Sequence, residues 1–518
     1  MQEWKPRHSP WLIAMGVMMA TFMEVLDTSI ANIALPHIAG SLSATPEEAT
    51  WVLTSYLVSN AIVLPTTGWL ANHFGRKRVF ISCIAMFTIA SALCGLAWSL
   101  PTLIFARILQ GIGGGAMVPI AQSIMLESFP RQKRGAAMAI FAQGVVVAPI
   151  LGPTLGGWIT DSYSWRWIFY INLPVGIMAV LAAQWLVEDP PYIQRNKSAT
   201  IDYIGFGLLA VWLATLQILL DKGQEADWFG AVWVRWFTLA SVLSFAGVIW
   251  WQLRAEHPLE DLTVFKNRNF TIGLILMTTL GAILYGTTAQ IPLFLQTLMG
   301  YPALQSGYAM SPRGIAAFVT TFFVGRIVGK VRMRWMLCIG FILLATSSFL
   351  LSNLNLQVSQ INVIWPSVVN GIAISFIFVP LTTATMSQLA QQQLGNATGL
   401  YNLMRNLGGS IGIAFVTTML ARGAQVHQAL MVGHLAPDNP AFRQQFEAAH
   451  KLLANHTDPV TASRQAYNAV YSLLDQQAHL LAFVDNFFIF GALALITMPL
   501  IFLFKRVSAP IKPVATGH

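Results

Sequence analysis

The sequence predicts an all-α integral membrane protein of about fourteen spanning helices, arranged as two six-helix bundles with two extra helices between them. Three observations carry that reading. The 518 residues are 55% hydrophobic and only 10% charged, with a mean hydropathy of +0.60, whereas a soluble domain carries about 25% charged residues. Apolar runs of the length that crosses a hydrocarbon core of about 30 Å, roughly 20 helical residues, recur along the whole chain. Lys and Arg collect in alternate connecting segments, as they do in membrane proteins.

The first six runs lie at 11–36, 50–71, 79–98, 101–125, 137–160 and 166–187, so residues 1–187 read as an N-terminal bundle. Residues 188–268 hold two more, 202–221 and 231–253, with their linkers. Residues 269–518 hold the last six, at 270–297, 303–328, 334–353, 361–386, 398–421 and 480–504. Lys5 and Arg7 precede the first run as they would a signal peptide. The run is too long for an h-region and has no A-x-A-like cleavage site, so it is read as a retained helix. Between the last two runs, residues 422–478 are rich in Gln, Ala and His. There Phe442, Phe446, Ala449 and Leu453 keep helical spacing after Pro437 and Pro440, which predicts short helices outside the membrane.

Orientation follows from the basic segments. Arg76, Lys77 and Arg78; Arg131, Lys133 and Arg134; Arg195 and Lys197; Arg254, Lys266 and Arg268; and Lys330, Arg332 and Arg334 mark one side, with Lys505, Arg506 and Lys512 in the tail. The segments near 37–50, 99, 298–303 and 354–360 carry no Lys or Arg. Both termini are therefore expected in the cytoplasm, and 422–478 in the periplasm.

Lys and Arg outnumber Asp and Glu by 30 to 21, but their placement makes this topology information rather than a nucleic-acid footprint. Cys83, Cys94 and Cys338 each lie inside an apolar run and form no disulfide framework or CxxC site. His427, His434, His450, His456 and His479 lack metal-ligand spacing and read as solvated loop residues. Asn455-His456-Thr457 matches a glycosylation sequon, a pattern short enough to arise by chance.

Two segments suggest moving parts. Residues 68–78, GWLANHFGRKR, join the second and third helices on the basic side. Gly68 and Gly75 permit a tight turn and close helix ends, and Arg76 can bind helix C-termini or nearby acids; the plain alternative is an ordinary positive-inside loop. The fifth helix carries Gly144, Ala148, Gly152 and Gly156, followed by Gly157, with Pro149 and Pro153 among them. Small residues four apart make a stripe on which another helix lies close, and prolines bend the helix. That stripe reads either as static packing or as a moving contact between two halves.

Charges inside the membrane runs are more informative, because each is costly in hydrocarbon and faces an interior or a watery cavity. Glu24 and Asp27 are three apart and share a helix face. Asp27 lies about 13 Å from the outer end of its helix, and Arg107 about 10 Å from the outer start of the fourth, at 1.5 Å per residue. The three are expected in one layer. A carboxylate whose hold on a proton depends on whether Arg107 is near can load protons on one side and release them on the other; the alternative is a fixed ion pair closing two helices. Arg313 is a further buried cation and Asp485 an acid near the outer end of the last helix, while Arg405, Gly408 and Gly412 read as packing elements.

These segments resemble a known set. Residues 68–78 are similar to the cytoplasmic loop motif of the major facilitator superfamily, with Asn72 where that motif usually has Asp. Residues 107–111, RILQG, resemble its fourth-helix motif, and 144–157 its fifth-helix antiporter motif. Residues 26–36, LDTSIANIALP, resemble the first-helix motif of the fourteen-spanning drug:proton antiporters. Residues 216–223, 227–229 and 265–270 look most like the EmrB-type multidrug efflux permeases.

The resemblance implies the major facilitator fold, Arg107 in proton handling, Asp27 in coupling, and the Gly152-Pro153 region in sealing the outer side. It also implies a periplasmic adaptor and an outer-membrane channel as partners. The expected function is proton-driven export of amphiphilic drugs by alternating access; a proton-coupled importer on the same fold is the alternative. Proton coupling falls to Asp27, Glu24 and Arg107, and the cavity to Glu24, Gln110, Gln143, Arg313 and Asn370, with the membrane lipid around it. No HExxH, GxSxG, Walker or Gly-rich nucleotide motif stands in a supporting context, so no enzyme, nucleic-acid partner, cofactor or metal is expected, and the proton gradient is the energy source.

Overall fold

The computed structural model describes residues 6–130, 133–190, 202–255, 259, 262–328, 330–433, 435, 436, 438–455 and 457–505. In hydrocarbon a helix satisfies every backbone N–H and C=O within one segment, so the apolar runs become helices. The first half is α1 (Pro10–Ser41), α2 (Pro46–Ala49), α3 (Trp51–Val63), α4 (Thr67–Phe74), α5 (Arg76–Leu96), α6 (Leu100–Gly115), α7 (Met117–Ser128), α8 (Arg134–Ser162), α9 (Trp167–Tyr170) and α10 (Asn172–Leu186). Two central helices follow, α11 (Tyr203–Lys222) and α12 (Val232–Gln252). The second half is α13 (Arg268–Thr297), α14 (Ala303–Ile327), α15 (Met333–Leu351), α16 (Gln360–Met386), α17 (Leu394–Val432), α18 (Pro440–Leu453) and α19 (Pro459–Thr497).

Eleven helical stretches among the described residues are long and apolar enough to cross a membrane, twelve if the bent α8 is one span. The two other expected runs are helical as well. Residues 50–71 form α3 and α4 around a 3-10 turn at Leu64–Thr66, and 303–328 form α14, with Pro312 and Arg313 in its middle. The basic residues Lys5, Arg131, Arg195, Lys197, Arg506 and Lys512, and Pro437, His434 and His456, the middle residue of the sequon, lie outside the described residues.

Within the first half α1 packs on α8 and α10, α3 on α6, and α5 on α6 and α10; within the second, α13 packs on α17, α14 on α16, and α15 on α16 and α19. The α11–α12 pair leans on both halves through α11, which touches α3 and α17. Its outer face, with Val211, Trp236, Leu243 and Trp250, is exposed as a lipid-facing surface would be.

The halves meet at the end of the molecule that carries Arg76. A Cβ at Gly68 would stand 2.8 Å from Cα of Asn396, so α4 lies directly on the start of α17. Gly135 of α8 meets Val328 after α14, Gly325 of α14 meets Ala139, and the rings of Phe141 and Phe378 stack across the junction at 6.5 Å. Asn402 donates a buried hydrogen bond of 2.6 Å to Gln122 of α7. Trp11 packs on Phe129, and the Lys505 N–H donates to Asn269 at 2.7 Å, so Pro10 and Lys505 also lie at this shut end.

At the far end the expected short helices of 422–478 are mostly continuations of longer ones. Helices α17 and α19 each run for 39 residues, about 58 Å at 1.5 Å per residue, so each extends well past a hydrocarbon core of about 30 Å. Among the described residues of this segment α18 is the separate short helix, held by Phe446 against Tyr467 at 4.5 Å. Asp458 caps α19 by accepting from the N–H groups of Val460 and Thr461. Those bonds from Thr461 hold its carboxyl below the usual carboxylate range.

Candidate functional site

One polar cluster is sealed inside the first half. Asp27 of α1 is 2% exposed and Arg107 of α6 is fully buried. The Arg107 guanidinium donates through Nη1 to Asp27 Oδ2 at 2.7 Å and to Gln110 Oε1 at 2.7 Å, and through Nε to the Val52 carbonyl at 3.1 Å. Gln110 donates to Asp27 Oδ1 at 3.0 Å, and Asn172 at the start of α10 donates to the same oxygen at 2.6 Å. Arg107 also stacks over the Tyr56 ring, 4.3 Å from its centroid. Desolvating two charges is expensive, and only several added hydrogen bonds of this kind make such a pair tolerable. Its local cause is legible in α6: Arg107 and Gln110 are one turn apart, and Gly111 removes a side chain that would overlap Ser59, letting α3 lie close.

Glu24 and Asp27 share the face of α1 as expected, but they take different partners. Glu24 accepts from Asn60 at 3.2 Å, and its second oxygen has no partner. Of the three charges, Asp27 and Arg107 form an ion pair and Glu24 pairs with neither, although Nη2 of Arg107 is left without a hydrogen-bond partner.

A cavity of about 390 Å³ lies between the halves, away from the shut end. It is lined by Ser29 and Asn32 of α1, Val145 and Pro149 of α8, Tyr285 and Thr288 of α13, Ser306 and Arg313 of α14, Phe378 of α16 and Arg405 of α17, among others. Of the five expected cavity groups Arg313 lines it. Gln110 is held in the Asp27 cluster, and Glu24 is not among the lining residues. Gln143 reaches the Phe318 carbonyl across the halves at 3.5 Å. Asn370 is fully buried with neither amide atom partnered, and is not among the lining residues either.

The turn after α4 works as its glycines suggest: Gly75 sits at φ 90°, a backbone conformation that excludes most side chains. Arg76 is buried and pairs with Glu127 of α7, so the carboxylate absent at exposed Asn72 is supplied from another helix. On α8 the small-residue stripe faces α1, inside the same half, rather than the opposite half. A Cβ at Gly152 would overlap Ser29, one at Gly156 would come within 3.1 Å of Ile30, and Gly144 meets Met18, while Gly157 faces open space. The contacts of α8 with α14 use Gly135, Ala139 and Gln143 instead.

Helix α8 bends by 41° between Arg134–Pro149 and Thr154–Ser162. Pro153, whose side chain lies outside the described residues, has no N–H for the Pro149 carbonyl; Ser29 donates to that carbonyl at 2.9 Å.

Sequence reasoning missed Asn172, Asn60, Glu127 and the Gln122–Asn402 bond. Asn60, Gln122, Asn172 and Asn402 are polar residues within apolar runs, a signal of the same kind that singled out Asp27, and Glu127 lies two residues past the end of its run. Asp485, read as an outer charge, pairs with His427 at 2.7 Å, and Arg405, read as packing, reaches the cavity. Gly408 and Gly412 do pack, against backbone of α13 at Thr278 and Ala282.

The chain is 35% identical over 498 residues to the fatty acid resistance protein FarB of Neisseria gonorrhoeae, covering 95% of this chain and 96% of that protein. It is 38% identical over 447 residues to the multidrug export protein EmrB of Escherichia coli K12, covering 85% of this chain and 86% of that protein. The fold is similar to that of the human organic anion transporter MFSD10, with a TM-score of 0.63 at 12% identity, covering 96% of this chain and all of that one. Residues 17–413 match the Major Facilitator Superfamily, and with relatives of this extent the chain belongs to that family of multi-pass membrane transporters.

Proposed function

We propose that the protein is a proton-coupled antiporter that exports amphiphilic drugs and related toxic molecules from the cytoplasm or inner leaflet across a bacterial inner membrane. The carrying observation is the sealed Asp27–Arg107 pair on α1 and α6, with Ser29 and Asn32 of the same α1 lining a cavity shut at the Arg76 end. A proton on Asp27 removes the charge that holds Arg107 in place, which changes the relative stability of two arrangements of the halves; coupling requires nothing more. The export and resistance names of the relatives support cargo of this class. Uptake of a labelled candidate into everted vesicles tests the reading: accumulation only with an imposed pH gradient supports it, and accumulation indifferent to that gradient refutes it.

The alternation of basic segments supports a shut end that faces the cytoplasm, with both termini on that side. A reporter active only in the periplasm is expected to be active when fused after residue 450 and silent after residue 505; the reverse pattern overturns the orientation. The long ends of α17 and α19 with α18 then stand in the periplasm, where exposed Leu430, Val432, Leu452 and Val460 offer a surface to an adaptor that leads to an outer-membrane channel.

The contact of Gly152 with Ser29 joins α8 to the helix that carries Asp27. Gly152→Leu is expected to reach the membrane in normal amount and lose most export, because Ser29 is displaced and the Pro149 carbonyl loses its donor. Normal export by this variant leaves the stripe a packing element only.

A further inference from the structure

Residues 216–223 and 227–229 belong neither to the Asp27 cluster nor to the cavity wall. They form the end of α11 and the turn after it, where they bind both halves at once, at the end of the molecule away from Gly68. Toward the first half, Thr54 of α3 donates to the Asp221 carboxylate, and Lys222 donates to Thr50 with its Nζ 5.8 Å from the Trp51 ring centroid. Thr54 is fully buried and Lys222 is 5% exposed. Glu225 balances the Lys222 charge from within the turn, at 2.9 Å. Toward the second half, Gln217 donates to Ser410 of α17 at 2.8 Å, and the Trp228 indole N–H donates to Thr418 at 3.1 Å. Arg422 and Asp227 add an ion pair of 3.5 Å whose side chains are 52% and 87% exposed.

The turn is held against its own preference. Asp227 and Trp228 sit at φ 51° and 49°, the left-handed region that a bulky aromatic residue avoids. Such a conformation persists only where the surroundings over-determine it. Here Gly223 leaves room for the indole, which a Cβ would approach to 2.8 Å, and Gln224 and Thr418 share its N–H.

Opening the Gly68 end by rocking the halves brings the far ends of α3 and α17 together, and the end of α11, which touches both, cannot keep both sets of bonds. Hydrogen bonds to a charged group are roughly twice as strong as neutral ones, and an exposed ion pair contributes little. The buried, charged anchors on α3 therefore outlast the neutral ones on α17. We infer that the α11–α12 pair travels with the first half, fastened to α3 by Asp221 and Lys222, and that Gln217 and Trp228 are a releasable clasp on α17 that favours the state shut at Gly68. The inference rests on alternation between two states and not on the cargo or the coupling ion.

Hydrogen exchange of the full-length protein in phosphatidylcholine nanodiscs, read on peptides from 67–78 and 394–399, reports opening of the shut end without cargo or gradient. Trp228→Phe, which deletes the indole N–H, and Gln217→Leu are each expected to speed exchange there about three- to tenfold, the change in open population that one neutral hydrogen bond supplies. Unchanged exchange in both variants overturns the inference. A short bis-maleimide then joins either Asp227→Cys to Arg422→Cys or Glu225→Cys to Thr50→Cys, with each protein before cross-linking as its own baseline; the native Cys83, Cys94 and Cys338 are buried. The first link should slow exchange at the shut end, and the second should leave it unchanged. A first link without effect, or a second link that slows exchange as much as the first, overturns the inference. Full export by protein carrying the first link also sinks it and leaves the export reading standing. Clasp-dependent exchange in a protein that exports nothing sinks only the export reading.

Discussion

Asp27→Asn is expected to reduce pH-gradient-driven transport to the level of empty vesicles while leaving the protein folded and able to bind cargo. Asparagine keeps the shape of the side chain and can still accept from Arg107, Gln110 or Asn172, whose donors crowd Asp27 now. It never carries the charge, so the two protonation states between which coupling must discriminate collapse into one. Glu24→Gln should spare coupling and alter cargo preference, because Glu24 is outside the ion pair and its free oxygen is unpartnered. Substrate-induced proton release and cargo binding, measured on both variants, separate the roles. Full gradient-driven transport by Asp27→Asn with loss in Glu24→Gln exchanges them, and full transport by both places the proton site elsewhere.

The second large effect is on stability. Arg107→Leu removes the cation and leaves Asp27 in a site with 0% and 1% side-chain exposure for the two partners. Breaking a buried pair from one side costs about 3–5 kcal/mol, since the remaining charge is uncompensated. Thermal unfolding in detergent should therefore fall markedly for Arg107→Leu. The double variant Asp27→Asn/Arg107→Leu should recover much of the loss, because no charge is left behind, yet remain unable to couple transport. A double variant as unstable as Arg107→Leu would show that Arg107 contributes through its stacking on Tyr56 and Phe169 instead.

The helical architecture was legible because length and hydropathy decide it locally, and in hydrocarbon nothing competes with the helix. The charges were legible for a related reason: Asp27 and Arg107 are conspicuous in apolar runs, and rise per residue placed them at matching depth. What spacing along one helix does not encode is rotation against another. Glu24 and Asp27 share a face, but only the latter points into the fork of Arg107, and that is settled by where Val52 and Asn172 arrive from other helices. The same blindness left the glycine stripe of α8 open between static packing and a contact between halves, where the structure seats α1 on it, and left Glu127 unnoticed as the partner of Arg76. The extent of α17 and α19 was hidden because their distal turns are polar, so the hydropathy signal ends at the membrane while the hydrogen-bonded ladder goes on.

The contact of Gly68 with Asn396 has a consequence for how this chain tolerates change. Folding of either half does not need an empty space at residue 68; only the state in which the two halves touch there does. A methyl group added at that point acts as a wedge that penalises one state and leaves the other untouched. Each 1.4 kcal/mol of such a penalty shifts the ratio of the two states about tenfold. Position 68 is thus a dial on the resting equilibrium of the molecule, and graded side chains there offer a way to hold it in the state that the present structure does not show.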